Sequence, residues 1–318
     1  MSVPKKRPTQ ADVARVAGVS RATVSYVLNG VTDERVTLTP ETRERVLTVI
    51  QQLGYQPDAR AQALRSGGVT KTIGLLLPDL HNPYYWKVAA GVEQEAQKAG
   101  FDLALYSTAL NAEREQRTLQ ALAQRRIDGL ILHLTFPHQV SDTLELFARR
   151  RHPLVILNEP VVMGERTPVK LDTVALKPGY RENARQMMHH LFALGHQRIG
   201  FIYGVATPTI DSGRLYAYQE ALVDMGLVVD EALIVRCGVT LEDGYQAALT
   251  LLQRTPRPTA MVAINDLLAM GALRALGEKG LAVPQDISLA GFDDIDMAAY
   301  LNPPLTTVQY DADAVGRA

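Results

Sequence analysis

Cysteine is nearly absent: Cys237 is the only one in 318 residues, so no intrachain disulfide can form and a reducing compartment suits the chain. It sits in Ile234-Val235-Arg236-Cys237-Gly238 with no second cysteine at metal-ligand spacing, and reads as a half-buried strand residue rather than a nucleophile. No apolar run approaches the roughly 18 residues that a membrane span requires. Lys5, Lys6 and Arg7 stand near the start, but the polar run Thr9-Gln10-Ala11-Asp12 follows where a signal peptide needs an apolar core. Neither export nor a membrane is expected. Also missing are a Gly-x-Gly-x-x-Gly loop after a strand, a Walker loop, a Gly-x-Ser-x-Gly elbow and clustered metal ligands. His133 and His138 flank Thr135-Phe136-Pro137 without a carboxylate at matching spacing, and read as pocket or surface residues rather than a metal site or general base. No enzyme, no metal and no cofactor is expected.

What is present is an ordinary globular composition, 47% apolar and 21% charged, in a chain long enough to bury at least one large core. The net charge of −1 conceals an asymmetry. Residues 1–71 hold 11 Lys and Arg against 6 Asp and Glu, which leaves 22 against 28 for residues 72–318. A basic head on an acidic body suggests that only the head meets a polyanion.

The head reads as short helices. Thr9 is an N-cap with Asp12 in capping-box position, Val13, Ala14 and Ala17 give a small apolar face, and Gly18 stops the helix. Ser20 caps a second helix that ends at Asn29-Gly30, and Thr39-Pro40 starts a third, closed by Gly54, with Val46, Ile50 and Leu53 as its expected buried stripe. Residues 58–71, with a double glycine at Gly67-Gly68, read as a linker of some helical potential. Beyond it apolar runs at 73–77, 103–106, 130–132, 154–157, 199–203, 260–264 and 288–292 alternate with amphipathic stretches such as 84–98, 113–126, 181–194 and 267–278. That alternation predicts doubly wound parallel sheets, too many strands for one, hence two similar lobes with a ligand cleft at the strands' carboxyl ends. The expected architecture is α/β: a helix-turn-helix head over 1–57, a linker over 58–71 and a two-lobed core over 72–318.

A helix-turn-helix needs a small residue where the helices cross, a turn residue tolerant of positive φ and an apolar anchor on the second helix; Ala14, Gly18 and Val24 supply them, with Val13, Val19 and Val27 completing a miniature core. The second helix would enter the major groove by its first turn, with Arg21, Ala22 and Ser25 or Tyr26 opposite Val24. Arg21 suits a guanine edge and Ala22 a thymine methyl, while Thr23, Ser25 and Asn29 suit phosphates.

The run from Thr9-Gln10-Ala11-Asp12-Val13-Ala14 through Gly18-Val19-Ser20-Arg21-Ala22-Thr23-Val24-Ser25-Tyr26-Val27-Leu28-Asn29 resembles the signature of the lactose-repressor (LacI) family. So do Leu53-Gly54-Tyr55-Gln56-Pro57, Pro78-Asp79-Leu80-His81-Asn82-Pro83-Tyr84-Tyr85, Leu194-Gly195-His196, Asn265-Asp266, Gly291-Phe292-Asp293-Asp294 and Pro304-Leu305-Thr306-Thr307-Val308, in order over nearly the whole chain. The resemblance implies a cytoplasmic, nucleoid-associated homodimer on a near-palindromic double-stranded operator, controlled by a small-molecule effector, with a sugar expected. It implies a hinge helix at 59–66 that carries Leu64 as a minor-groove wedge. The candidate DNA contacts are thus Thr9, Ser20, Arg21, Ala22, Thr23, Ser25, Tyr26, Asn29 and Leu64.

The core resembles the periplasmic sugar-binding fold, and the resemblance assigns effector contacts to Asn82, Tyr85, Arg214, Asn265 and Asp293. Such groups suit a sugar, whose adjacent hydroxyls pair with bidentate Asp, Asn and Arg while an aromatic face covers the ring. Asp266 and Asp294 read as helix caps instead. Thr173 after Asp172, Glu159 and Val239 depart from the family pattern and leave a nucleobase or another non-sugar open. The chain ends at Gly316-Arg317-Ala318 inside an expected helix, which implies that the family's last helix and strand are absent. An exported solute-binding protein would share the core but has no use for the head.

Overall fold

The computed structural model describes residues 8–29, 38–56, 70–124, 127–136, 141–157, 172–173, 180–204 and 213–318. Contacts divide the chain into two units, Met1–Thr70 and Lys71–Ala318. The hinge stretch with Leu64, as well as Glu159 and His138, lies outside the described residues.

Among the described residues of the first unit three helices form, α1 (Gln10–Ala17), α2 (Arg21–Asn29) and α3 (Pro40–Leu53). Local chemistry sets their ends. The Thr9 hydroxyl accepts from the Asp12 amide at 3.3 Å while the Asp12 carboxylate accepts from the Thr9 amide at 3.0 Å, so two otherwise orphaned donors are satisfied reciprocally. Those bonds, led by the Thr9 hydroxyl, hold the Asp12 carboxyl down at about 2. Gly18 sits at φ 64°, where a Cβ would be strained, and lets the chain turn into α2 within two residues. Ser20 Oγ then accepts from the Thr23 amide at 3.0 Å. Val13, Ala14, Ala17, Val24, Val27, Val46 and Val49 form the buried core of the unit. The expected stripe on α3 is corrected here: Val49 is buried, whereas Ile50 and Leu53 are only partly so, because α3 turns its i, i+3 face toward α1 and α2.

The second unit carries two five-stranded sheets, with parallel pairing throughout the described residues. The first holds β1 (Thr72–Leu77), β2 (Asp102–Ser107), β3 (Gly129–Leu132), β4 (Leu154–Ile156) and β5 (Asp172–Thr173). The second holds β6 (Ile199–Gly204), β7 (Ile234–Cys237), β8 (Ala260–Ala263), β9 (Ser288–Asp293) and β10 (Thr306–Gln309). All seven apolar runs became strands; β5 and β10 are short, hold threonine, and carry no apolar run to announce them. The orders β2-β1-β3-β4-β5 and β10-β9-β8-β6-β7 are the same arrangement read from opposite edges. Each therefore reverses direction of travel once, between β1 and β3 and between β6 and β8, and a crevice opens at the carboxyl ends there.

Crossover helices cover the sheets: α4 (Pro83–Lys98), α5 (Ala112–Gln124) and α6 (Ser141–Arg149) in the first lobe, then α7 (Tyr180–Ala193), α8 (Gly213–Asp224), α9 (Leu241–Leu252) and α10 (Asp266–Glu278). A last helix, α11 (Ala312–Arg317), follows β10 of the second sheet yet packs on α4 of the first lobe. Gly316 and Gly91 make that crossing possible, since a Cβ on Gly91 would meet the backbone of Asp313, Gly316 and Arg317. Leu75, Leu77, Val88, Phe201, Tyr203 and Phe292 share one continuous apolar cluster, so the core runs through both lobes.

Glycine also sets the α9–α10 contact. A Cβ on Gly271 would meet the Leu241 carbonyl and lie 2.7 Å from the Tyr245 nitrogen, both backbone atoms, whereas one on Gly277 of the same helix meets nothing. Gly271→Ala should therefore destabilise the core by about 1–3 kcal/mol through overpacking, and Gly277→Ala should stabilise it by about 0.5–1 kcal/mol. Urea melts followed by far-UV circular dichroism measure both, and a loss of similar size from each would remove helix packing as the cause.

Candidate functional site

Residues from both reversal points line a cleft of about 250 Å³ between the lobes. From the first lobe come Pro78, Asp79, Asn82, Tyr84 and Tyr85 after β1 and His133, Leu134 and Thr135 after β3; from the second, Tyr203 and Gly204 on β6, Arg214 on α8, Val239 after β7, Ile264 and Asn265 after β8, and Asp293 on β9. All five expected effector contacts are in the lining.

Asp293 is at the centre. It is 5% exposed, and its carboxylate accepts from Asn82 Nδ2 at 2.9 Å and pairs with Arg214 Nη2 at 3.5 Å. Burial raises its pKa while the Arg214 charge pulls it down. The Arg214 guanidinium lies 5.2 Å from the ring centroids of both Phe292 and Tyr310 and donates to the Ile264 carbonyl. Asn82 does two jobs: its Oδ1 accepts from the Tyr84 amide at 2.9 Å, capping α4, while its Nδ2 reaches across to the other lobe. Asn265 caps α10 through Oδ1, 2.8 Å from the Leu268 amide. Tyr85 meets His133 edge to face at 5.2 Å.

Asp266 and Asp294 are not helix caps. Asn265 already caps α10, and the Asp266 carboxylate, fully buried, turns back to accept from the Ile295 amide at 2.9 Å and the Thr307 hydroxyl at 2.6 Å. That hydroxyl lies 3.3 Å from the Asp294 amide, from which it accepts. Asp294 supplies no cap either: the short helix Asp296–Tyr300 begins at Ile295 without a side-chain cap. Both Asp293 (φ 105°) and Asp294 (φ 49°) lie in the left-handed region that non-glycine residues avoid. Asp266 and Thr307 thus brace the strained turn that presents Asp293. Lys87 of α4 adds a tie from the first lobe, with Nζ 3.1 Å from the Asp294 carbonyl and 2.8 Å from the Asp296 carboxylate.

Sequence reasoning missed Glu115. It is fully buried on α5 in register with Leu119 and Leu122, and its carboxylate accepts from the amides of Thr135 at 2.8 Å and Phe136 at 2.9 Å, fixing the loop after β3. A charged residue at i, i+4, i+7 spacing from two leucines was the available signal. Among the described residues no group of three His, Cys, Asp or Glu side chains is placed to hold a metal ion, and no helix is long and apolar enough to cross a membrane.

In the head unit Arg21 and Ala22 are exposed on the first turn of α2, and Thr23, Ser25 and Tyr26 are half-buried behind them. Asn29 ends α2. The hydroxyls of Thr9 and Ser20 are engaged in their caps, and Ser20 Oγ also lies 2.9 Å from Thr23 Oγ1.

Residues 9–58 match the family described as "Bacterial regulatory proteins, lacI family", and residues 70–318 match "Periplasmic binding proteins and sugar binding domain of LacI family". The chain belongs to the LacI family. Similar relatives include an HTH-type transcriptional repressor PurR of Erwinia tasmaniensis, 36% identical over 309 residues, 97% of this chain and 87% of that one. A ribose operon repressor of Haemophilus influenzae is 34% identical over 300 residues, 94% of this chain and 86% of that one. Among solved structures, the lac repressor dimer bound to operator and the anti-inducer ONPF superposes with a TM-score of 0.74 at 27% identity, over 98% of this chain and 90% of that one. The protein is accordingly a DNA-binding transcriptional regulator of a family whose members answer to small molecules, with a helix-turn-helix head and a two-lobed core of parallel sheets as expected.

The brace under Asp293 titrates in a testable range. Burial, its largest cause, raises the Asp266 carboxyl from 3.8 to about 7. A carboxyl that holds its proton more tightly when folded contributes stability fully below about pH 4, and loses it as pH rises through about 7; each unit of difference is worth about 1.4 kcal/mol. Asp266→Asn keeps the shape and cannot titrate. The wild-type stability relative to this variant should fall from pH 5 to pH 8 in urea melts, and a difference that stays level across that range would refute the raised carboxyl.

Proposed function

We propose that this regulator binds a near-palindromic operator as a homodimer, in the cytoplasm on nucleoid DNA, and that an uncharged sugar in the interlobe cleft controls its grip. Asn82, Arg214, Asn265 and Asp293 hold the sugar's hydroxyls and Tyr85 covers its ring. What carries this reading is convergence: five residues up to 211 positions apart meet in one cleft at the two topological reversal points. A sugar suits them because Asp293 and Arg214 offset each other's charge at 3.5 Å and leave directional hydrogen bonds as the main currency of recognition. The description of the core's family as a sugar binding domain, and the similarity to a ribose operon repressor, favour the same class. A purine is the second reading, on the similarity to a PurR repressor. The cleft serves binding rather than turnover: its polar groups are tied to each other, and its relatives are regulators.

On the head, Arg21, Ala22 and Tyr26 face base edges while Thr23, Ser25 and Asn29, with the first turns at Thr9 and Ser20, hold phosphates. Leu64 wedges into the minor groove. The domain limits proposed are 1–57 for the head, 58–71 for the hinge and 72–318 for the core.

Two measurements test this. Operator affinity in gel shifts should fall by about three orders of magnitude between about 50 and 200 mM salt, as several phosphate contacts require. Arg21→Ala should cost about 1–3 kcal/mol on operator and much less on random duplex; equal losses on both would deny it a base contact. In thermal shifts with D-ribose, D-glucose, D-galactose and hypoxanthine, a sugar near 100 times its dissociation constant should add about 2.7 kcal/mol. Asp293→Asn should abolish that gain. Stabilisation by hypoxanthine alone would replace the sugar reading with the purine one.

A further inference from the structure

One cleft imidazole makes no hydrogen bond to another residue among those described. Both ring nitrogens of His133 are shielded from solvent, and no other described residue bonds either of them; the imidazole is tied only to its own backbone. Leaving a buried polar group unpaired costs about 1–3 kcal/mol, so such groups are few and tend to mark function. The same chain shows what a structural imidazole looks like: His196 bonds Thr259 Oγ1 at 3.0 Å through Nδ1 and Ser288 Oγ at 2.9 Å through Nε2. Nor is the ring's position accidental. The His133 amide donates to the Leu76 carbonyl at 2.8 Å, Glu115 holds the next two residues but one, and Tyr85 packs on the ring's flank. Strand β3 and its loop thus fix His133 at the wall of the cleft, where it is part of the lining.

The charges around it are set. Arg214 is paired with Asp293, and the Asp79 carboxylate accepts from the backbone and ring of His81, each at 2.9 Å. No lysine lines the cleft among the described residues.

We propose that His133 is a specificity-determining contact, bonding a hydroxyl of the effector so that the cleft selects an uncharged sugar over its phosphorylated form. This rests on the sugar reading above. Burial first, with the nearby Arg214 charge, holds the imidazole's pKa down at about 4, so it is neutral at physiological pH, with one donor and one acceptor. A hydroxyl satisfies either nitrogen, whichever carries the proton. A phosphate only accepts, and it would bring up to two negative charges into a cleft where the described residues offer no uncompensated cation, so desolvating them has little return.

The test is calorimetry on the full chain with D-ribose, D-glucose, ribose 5-phosphate, glucose 6-phosphate and hypoxanthine. At least one free sugar should bind, at least tenfold tighter than its phosphate ester. His133→Phe, which retains the contact with Tyr85, should weaken that sugar at least tenfold and leave the unliganded melting temperature unchanged or higher. His133→Asn should recover part of the affinity. His152, whose Nε2 is also buried and unpaired but which packs on Phe147 outside the cleft lining, provides the control: His152→Phe should bind sugar as the parent does. The ¹⁵N imidazole resonances of His133 should shift on adding sugar. If a sugar binds but His133→Phe matches the parent and those resonances do not move, the contact is overturned and the sugar reading survives. A phosphate ester that binds as well as its sugar overturns the selectivity. Hypoxanthine binding alone, or no binding at all, overturns the sugar reading and the hydroxyl contact together.

Discussion

A carboxylate cut off from water has to find partners or surrender its charge, and Asp293 finds its partners on both sides of a cleft. Asn82 reaches it from the loop after β1 in the first lobe, and Arg214 from the first turn of α8 in the second. The bond to Asn82 is therefore more than local satisfaction: it ties the two lobes together at the point where a ligand would enter. A hydroxyl that takes over either partner's role exchanges one hydrogen bond for another at small net gain, yet it changes which lobe Asp293 is tied to. On the proposed reading, recognition and interlobe geometry draw on the same few bonds. The ligand can bias the lobes only by the difference in its affinity for the two arrangements, typically about 1–3 kcal/mol, and operator binding must bias ligand affinity equally in return.

That arrangement demands an unusual backbone. To point its side chain at both lobes, Asp293 takes φ 105° and Asp294 φ 49°, each of order 1–3 kcal/mol above a relaxed residue. The surroundings enforce it. Asp266 and Thr307 hold the amides of Ile295 and Asp294, and Gly291 lacks the Cβ that would collide with the Asp266 carboxylate. Asp266 thus supports the cleft from behind, though it is not in the lining. Its raised pKa expresses the same constraint: burial beside Asp293 and Asp294 disfavours a further negative charge.

How much of this the sequence disclosed depended on the range of the interaction. Caps, turns and strands are decided within a few residues, so Thr9-Asp12, Gly18, Thr39-Pro40 and the seven apolar runs were legible. The head's valines were legible except on α3, where choosing between Val49 and Ile50 needs the angle at which the helix meets its neighbours. The five cleft residues came from resemblance, not from spacing; nothing in the chain by itself says that Asn82 and Asp293 meet. Asp266 was misread because an aspartate at a helix start normally caps it, and here the asparagine one residue earlier had taken that role. Glu115 left a trace, a charge on a leucine face, but its partners in the β3 loop lie 20 and 21 residues on.

The last helix limits what the cleft can do. Because α11 follows β10 of the second sheet and packs on α4 of the first lobe, the lobes are joined by more than the bonds around Asp293. Gly91 and Gly316 bring the two helices to backbone contact, and interfaces that close have discrete seats rather than a continuum of sliding positions. Helix α4 also carries Lys87, tied to the turn after Asp293, and it begins at Asn82, tied to Asp293 itself. One rigid helix thus senses the cleft at its first residues and is clamped further along by α11. Any lobe motion that keeps the α4–α11 contact would be a rotation about it, and because Asn82 caps α4, a change at Asn82 acts on the first turn of a helix rather than on a free loop. A rigid element tied at both places is what a small ligand needs if a difference of a few hydrogen bonds is to be felt beyond the cleft.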